Sequence, residues 1–257
     1  MPVALTDDGV GIAYRVEGTG DASVLLLHAW SASGGYFDEL VAGFDPSIIR
    51  SIAIDLRGHG DSDKPEGNLT WERMAQDVFA VADNAAVGSF VAVGHSMGGK
   101  LAQFLLLIEP SRIKGLVLIA SPSAAELPTP NYVRKWIELV GNARAFVETT
   151  IRPYLRHDVP EGVLTRFGED AARIPRAYLE QTMNLVSSTS FIDDLGVIRV
   201  PTLIVSSSGD PIHSTESDIM ASVPYAQREV IDSGPEIPME KPQDLARLIE
   251  RFVVSAI

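Results

Sequence analysis

The chain predicts an α/β fold built on a parallel sheet, and two patterns predict it. The first is a set of short runs that are apolar at every position: Val24-Leu25-Leu26-Leu27, Ile52-Ala53-Ile54, Val91-Ala92-Val93, Leu116-Val117-Leu118-Ile119 and Leu203-Ile204-Val205. Such runs belong to strands covered on both faces, as in parallel sheets. The second is the alternation of these runs with segments of helical period, which implies right-handed crossovers between parallel neighbours.

The elements follow in order. Val3 and Leu5, a turn at Asp8-Gly9, and then Ile12, Tyr14 and Val16 alternate in the strand period and read as an edge hairpin. Trp71, Met74, Val78, Val81 and Ala82 recur at helical spacing. So do Leu101, Phe104, Leu105 and Ile108, which end at Pro110. A third set, Leu245, Leu248, Ile249 and Phe252, is opened by Pro242 at a favoured first-turn position. From about Ala124 to Ser188 helical patterns run without a convincing strand, over residues 132–140, 145–154, 163–172 and 177–186. Pro128, Pro130, Pro153, Pro160 and Pro175 punctuate them. An all-helical insert between two strands of a parallel sheet is expected to cover the strand C-termini, where open sheets carry their ligand sites.

Composition narrows the partners. The chain has 257 residues, 46% of them hydrophobic and 21% charged, enough for one large domain or a domain with an insert. A formal charge of −13 repels phosphate backbones and anionic headgroups, so neither nucleic acid nor a membrane surface is expected as a partner. No long apolar stretch reads as a membrane span and no signal peptide is visible at the start. The absence of cysteine removes disulfide and thiolate chemistry and fits a cytoplasmic location.

The sharpest local signal is Gly94-His95-Ser96-Met97-Gly98-Gly99, which follows a buried strand pattern and opens a helical one. A G-x-S-x-G motif in that context holds serine in a strained turn with its hydroxyl projecting upward. The glycines let strand and helix approach, and the helix N-terminus favours developing negative charge.

On these residues the chain resembles the α/β-hydrolase superfamily over essentially its whole length, in particular its esterase, non-haem haloperoxidase and enol-lactonase-like branch. Further segments carry the resemblance: Leu26-Leu27-His28-Ala29-Trp30, Asp55-Leu56-Arg57-Gly58-His59-Gly60-Asp61-Ser62, and residues 198–205 leading into Gly209-Asp210-Pro211-Ile212. The last is Ile237-Pro238-Met239-Glu240-Lys241-Pro242, which matches the segment just after the family's catalytic histidine. The resemblance implies an eight-stranded, mostly parallel sheet with helices on both faces. It implies a core of residues 1–122 and 191–257 and a helical lid over 123–190. It also makes Ser96 the nucleophile and Asp210 the acid that orients the base. The backbone N–H groups of Trp30 and Met97 match the oxyanion-hole donors, while His28, His59 and His95 match structural positions. Ala29 stands where the family often has glycine. No cofactor or metal is expected.

The pattern fails at the general base. Where the family carries Gly-His, this chain reads Ser233-Gly234-Pro235-Glu236, and matches on both sides place Pro235 at the lost position. Proline has no proton to exchange. In a comparable triad, loss of the histidine costs about 10⁶ in turnover, while the oxyanion hole and binding retain about 10³ to 10⁴ over water. Three accounts stay open. A replacement base is one, with His213, just after Asp210, as first candidate; Glu236 is expected to face solvent and His157 to sit in the lid. A changed function is the second: a cofactor-free lyase or isomerase, or a small-molecule binder. The third is a substitution of histidine, whose codons neighbour those of proline. The expected activity is hydrolysis of a small, largely apolar carboxylic ester or lactone.

Overall fold

The computed structural model describes residues 1–67, 69–127, 132–197, 199–209, 219–220, 223 and 226–256. Its first half carries β1 (Val3–Leu5), β2 (Gly11–Glu17), β3 (Ala22–Leu27), α1 (Asp38–Val41), β4 (Ile49–Ile54), α2 (Trp71–Asn84), β5 (Phe90–His95), α3 (Met97–Ile108) and β6 (Ile113–Ile119). There follow α4 (Tyr132–Leu139), α5 (Ala143–Thr150), α6 (Glu161–Ala172), α7 (Arg176–Ser188), β7 (Thr202–Ser207), β8 (Ala226–Ile231), α8 (Ile237–Glu240) and α9 (Pro242–Ala256).

The strands form one eight-stranded sheet in the order β1-β2-β4-β3-β5-β6-β7-β8. β1 and β2 form the antiparallel edge hairpin, and β2 meets β4 antiparallel; every other pairing is parallel. The pleat sorts the apolar runs into two layers. Leu25 and Leu27 of β3 join Trp71, Met74 and Val78 of α2 and Leu101 and Leu105 of α3 on one face. Val24 and Leu26 join Leu40 of α1 and Leu245, Ile249 and Phe252 of α9 on the other. Each fully buried leucine or valine contributes roughly 1.5–3 kcal/mol, so the continuous runs are what hold helices to both faces. Thr70 starts α2 by accepting the Arg73 N–H at 3.2 Å, which satisfies a donor the helix leaves open.

Between β6 and β7 the described residues hold α4 to α7 and no strand. The pattern over residues 145–154 predicts one helix, but the chain breaks it into α5 and a single 3-10 turn at Arg152–Tyr154. Pro153 is the reason: it lacks the N–H that an α-helical continuation needs. Pro160 and Pro175 stand immediately before α6 and α7, at the helix entrances.

Lys100 ties this insert to the sheet. It lies on α3, is fully buried, and donates to the carbonyls of Ala125 (2.8 Å), Val186 (2.7 Å) and Thr189 (2.8 Å). All of its ammonium donors are therefore used, at both ends of the helical insert. Burial lowers its pKa to about 8.

Candidate active site

Strand β5 delivers the chain into a turn in which Ser96 has φ +50° and ψ −116°, left-handed backbone that non-glycine residues rarely adopt. The surroundings over-determine it. The Ser96 N–H donates to the Ile119 carbonyl at 3.0 Å, and its carbonyl accepts from Gly99 at 2.9 Å. A Cβ on Gly94 would lie 2.2 Å from the Gly98 carbonyl oxygen, and one on Gly98 would lie 2.0 Å from that of Leu27. Only glycine at both positions lets β5, β3 and the start of α3 come this close. The half-buried Ser96 makes no side-chain cap to α3.

Ser96 opens into a cavity walled by both the core and the helical insert. From the core, Trp30, Met97, Pro235 and Glu236 line it; from the insert come Trp136, Phe146, Tyr154, Phe167 and Met183. Of the residues singled out in the sequence, Ser96, Trp30, Met97 and Pro235 thus share one chamber, with apolar walls supplied largely by the insert. Asp210 and His213 lie outside the described residues. Trp30 is fixed by its indole N–H, which donates to the Leu179 carbonyl in α7 at 3.1 Å. Among the described residues no group of three His, Asp or Glu could hold a metal ion, and no helix is long and apolar enough to cross a membrane.

The histidines separate clearly. His28 donates from Nδ1 to the Ala29 carbonyl (2.8 Å) and accepts the Leu56 N–H at Nε2 (3.1 Å), so its ring is neutral and fully used. His59 donates from Nδ1 to the Arg57 carbonyl at 3.0 Å, and its ring lies 4.9 Å from that of His28. Burial lowers their pKa values from near 6.5 to about 4 for His28 and about 3 for His59. The folded state therefore binds fewer protons than the unfolded chain below pH 6.5. Stability is expected to fall as pH drops from about 6.5 towards 4, by a few kcal/mol in total. Thermal unfolding measured across this range checks it; a Tm that does not fall would contradict the neutral-ring assignment.

His95 stacks on Tyr36, with ring centroids 5.2 Å apart and planes at 2°, and donates from Nε2 to the Pro235 carbonyl at 3.0 Å. The loop carrying Pro235 is thereby bonded to the residue preceding Ser96. His157 does not line the cavity; its Nε2 donates to the Asp232 carbonyl at 2.8 Å, and its backbone N–H to Glu240 Oε2 at 2.9 Å.

Glu236 departs from expectation. It lines the cavity rather than facing solvent, and its Oε2 accepts from the buried Tyr36 Oη at 2.6 Å. Burial and the Glu236 charge push the Tyr36 hydroxyl well above its ordinary pKa, so it stays a donor. Sequence reasoning missed this pair because 200 positions separate the partners.

A strained serine between strand and helix, lining a chamber whose apolar walls come largely from a helical insert into an eight-stranded sheet, defines a class of protein. Comparison with known proteins agrees: residues 22–194 match the family model for the alpha/beta hydrolase fold, and the chain belongs to that family. The chain is 28% identical over 244 residues to a non-heme chloroperoxidase of Streptomyces lividans, covering 88% of this chain and 84% of the relative. It is 26% identical over 278 residues to a bifunctional esterase/perhydrolase of Acinetobacter calcoaceticus, covering 100% of this chain and 99% of the relative. Among solved structures, an esterase from Exiguobacterium antarcticum superposes with a TM-score of 0.87 at 22% identity, covering 98% of both chains. These curated relatives are named for haloperoxidase and esterase/perhydrolase activities.

Proposed function

We propose that the chain hydrolyses a small, largely apolar carboxylic ester or lactone, with Ser96 as nucleophile. Asp210 is the orienting acid, and the backbone N–H groups of Trp30 and Met97 receive the oxyanion. The observation that carries this is the Ser96 turn at φ +50°, which opens into a chamber with aromatic and aliphatic walls. A serine held in so costly a conformation at a helix N-terminus is suited to attacking a carbonyl carbon, with main-chain donors facing the oxygen that gains charge. The apolar walls favour an uncharged acyl or aryl group, and a relative named as an esterase/perhydrolase agrees in kind. The helices over residues 123–190 act as a lid that shuts out water, and the partner is a small molecule rather than nucleic acid. A cytoplasmic location belongs to the same proposal.

Pro235 favours a second reading. With no proton acceptor on that side chain, the chamber would bind a carbonyl or enolate without acylating Ser96, as a cofactor-free lyase or isomerase or as a binding protein. A serine-directed fluorophosphonate and a series of p-nitrophenyl esters separate the two. Stoichiometric labelling together with turnover of short apolar esters supports the hydrolase. Neither labelling nor turnover, alongside tight binding of a carbonyl compound, supports the second reading.

A further inference from the structure

We propose that Lys100 is a positioning residue that sets how close the α7 side of the chamber stands to Ser96, and with it the length of acyl chain the chamber accepts. The proposal rests on the chamber beside Ser96 being the ligand site, whichever reaction it runs.

Helix α3 starts from Ser96, and Lys100 lies one turn further on. Its side chain is fully buried, and its ammonium donates to the carbonyls of Ala125, Val186 and Thr189 at 2.7 to 2.8 Å. An ammonium has three donors and no acceptor, so the three carbonyls saturate it. They belong to the two stretches by which the insert leaves and rejoins the core. The same stretches are bonded to each other: the Leu127 N–H donates to the Ser187 carbonyl at 3.0 Å, and the Phe191 N–H to the Ala124 carbonyl at 3.0 Å. The ammonium also lies 5.8 Å from the centroid of the Phe191 ring. A single cation on the nucleophile's own helix thus clasps a neck of main chain.

The neck is also a wall. Leu127 and Val186 line the chamber, as do Met183, one turn before Val186 on α7, and Pro122, just past β6. Gln103, one turn after Lys100 and equally buried, donates from Nε2 to the Pro122 carbonyl at 2.9 Å. Two buried side chains of α3 therefore fix the main chain behind this wall. Burying an ammonium is costly unless it is well bonded, and an apolar side chain of similar volume would avoid that cost. The charge stands where it joins a ligand-facing wall to the nucleophile, and charge-assisted bonds are the stronger kind for holding such geometry.

Burial lowers the Lys100 pKa to about 8, against the opposing charge of Glu126 beside the Ala125 acceptor, the charged group that acts on it among the described residues. Above that pH the amine has two N–H donors for three carbonyls, and the clasp loses a bond.

The test uses the full chain and two readouts. One is kcat/KM for p-nitrophenyl butyrate and p-nitrophenyl octanoate. The other is the Kd of butyrophenone and octanophenone, read from quenching of tryptophan fluorescence, which needs no turnover. The unaltered chain is expected to prefer the four-carbon chain. Lys100→Met keeps the apolar stem and removes the donors, and is expected to cut that preference by at least about tenfold, the scale on which apolar pockets discriminate chain length. The change should appear in KM and Kd, with kcat for p-nitrophenyl acetate little altered. Lys100→Arg, which keeps the charge, is expected to restore part of the preference. In the unaltered chain the preference is expected to decline from pH 7 to 9; ionisations of groups shared by both substrates cancel in the ratio. A role in stability alone would lower the unfolding temperature of Lys100→Met and leave both ratios in place, and that result overturns the proposal. So does a ratio independent of pH in the unaltered chain, the deciding measurement if Lys100→Met does not fold. Moved Kd ratios without turnover or fluorophosphonate labelling support the proposal and sink the hydrolase reading; turnover with fixed ratios does the reverse. A chamber that neither turns over the esters nor binds the ketones overturns both.

Discussion

Pro235→His is expected to raise ester turnover by at least about a hundredfold, because positioned general acid–base catalysis is worth about 10² to 10⁴. The surroundings are ready for the change. Pro235 lines the chamber with Ser96, and its carbonyl already accepts from His95, so the loop is held by main-chain contacts that do not involve the pyrrolidine ring. Proline fixes φ near −65°, a value histidine adopts freely. The imidazole would stand next to the nucleophile and carry a pKa nearer the operating range than a carboxylate. The gain should appear in kcat, since nothing in the apolar walls from Trp136, Phe146 and Phe167 is altered. A variant that folds normally yet gains nothing would mean that more of the machinery than the imidazole is missing.

Ser96→Ala is expected to remove turnover and fluorophosphonate labelling together. In a complete triad this change costs about 10⁶; here the starting rate is lower, so the measured loss is bounded by detection and should still exceed about a hundredfold. The variant isolates chemistry from folding in an informative way. Alanine at φ +50° retains the backbone strain of the turn, and the serine hydroxyl makes no cap to α3. The unfolding temperature should therefore change little while the rate collapses. Retained hydrolysis would move the nucleophile elsewhere.

Much of this was legible locally. Strands β3 to β7 announced themselves because burial on both faces demands apolar residues at every position, and proline and glycine marked the helix ends. Strand β8, Ala226–Ile231, did not announce itself. Its side chains are mostly exposed at the sheet edge, so Gln227, Arg228 and Glu229 carry no apolar pattern. The Ser96 turn was readable because the strain, the glycines and the helix start are contiguous in sequence. Pairings across the chain were not. Glu236 looked like a solvent carboxylate until Tyr36, 200 residues away, was seen to orient it. Nor does anything local mark Lys100 of α3 as fully buried, because its acceptors come from 25, 86 and 89 residues further along. Long-range polar satisfaction leaves no periodic trace, because each partner is chosen by the tertiary fold rather than by its neighbours.

The most direct measurement is to mix the protein with p-nitrophenyl acetate, quench in acid during the first turnovers, and read the intact mass and the modified peptide. With no imidazole at position 235 to speed deacylation, one acetyl group per chain is expected on the peptide bearing Ser96. Turnover with Ser96 unmodified, or an acetyl group resting on any other residue, would contradict the assignment of that serine as the covalent centre.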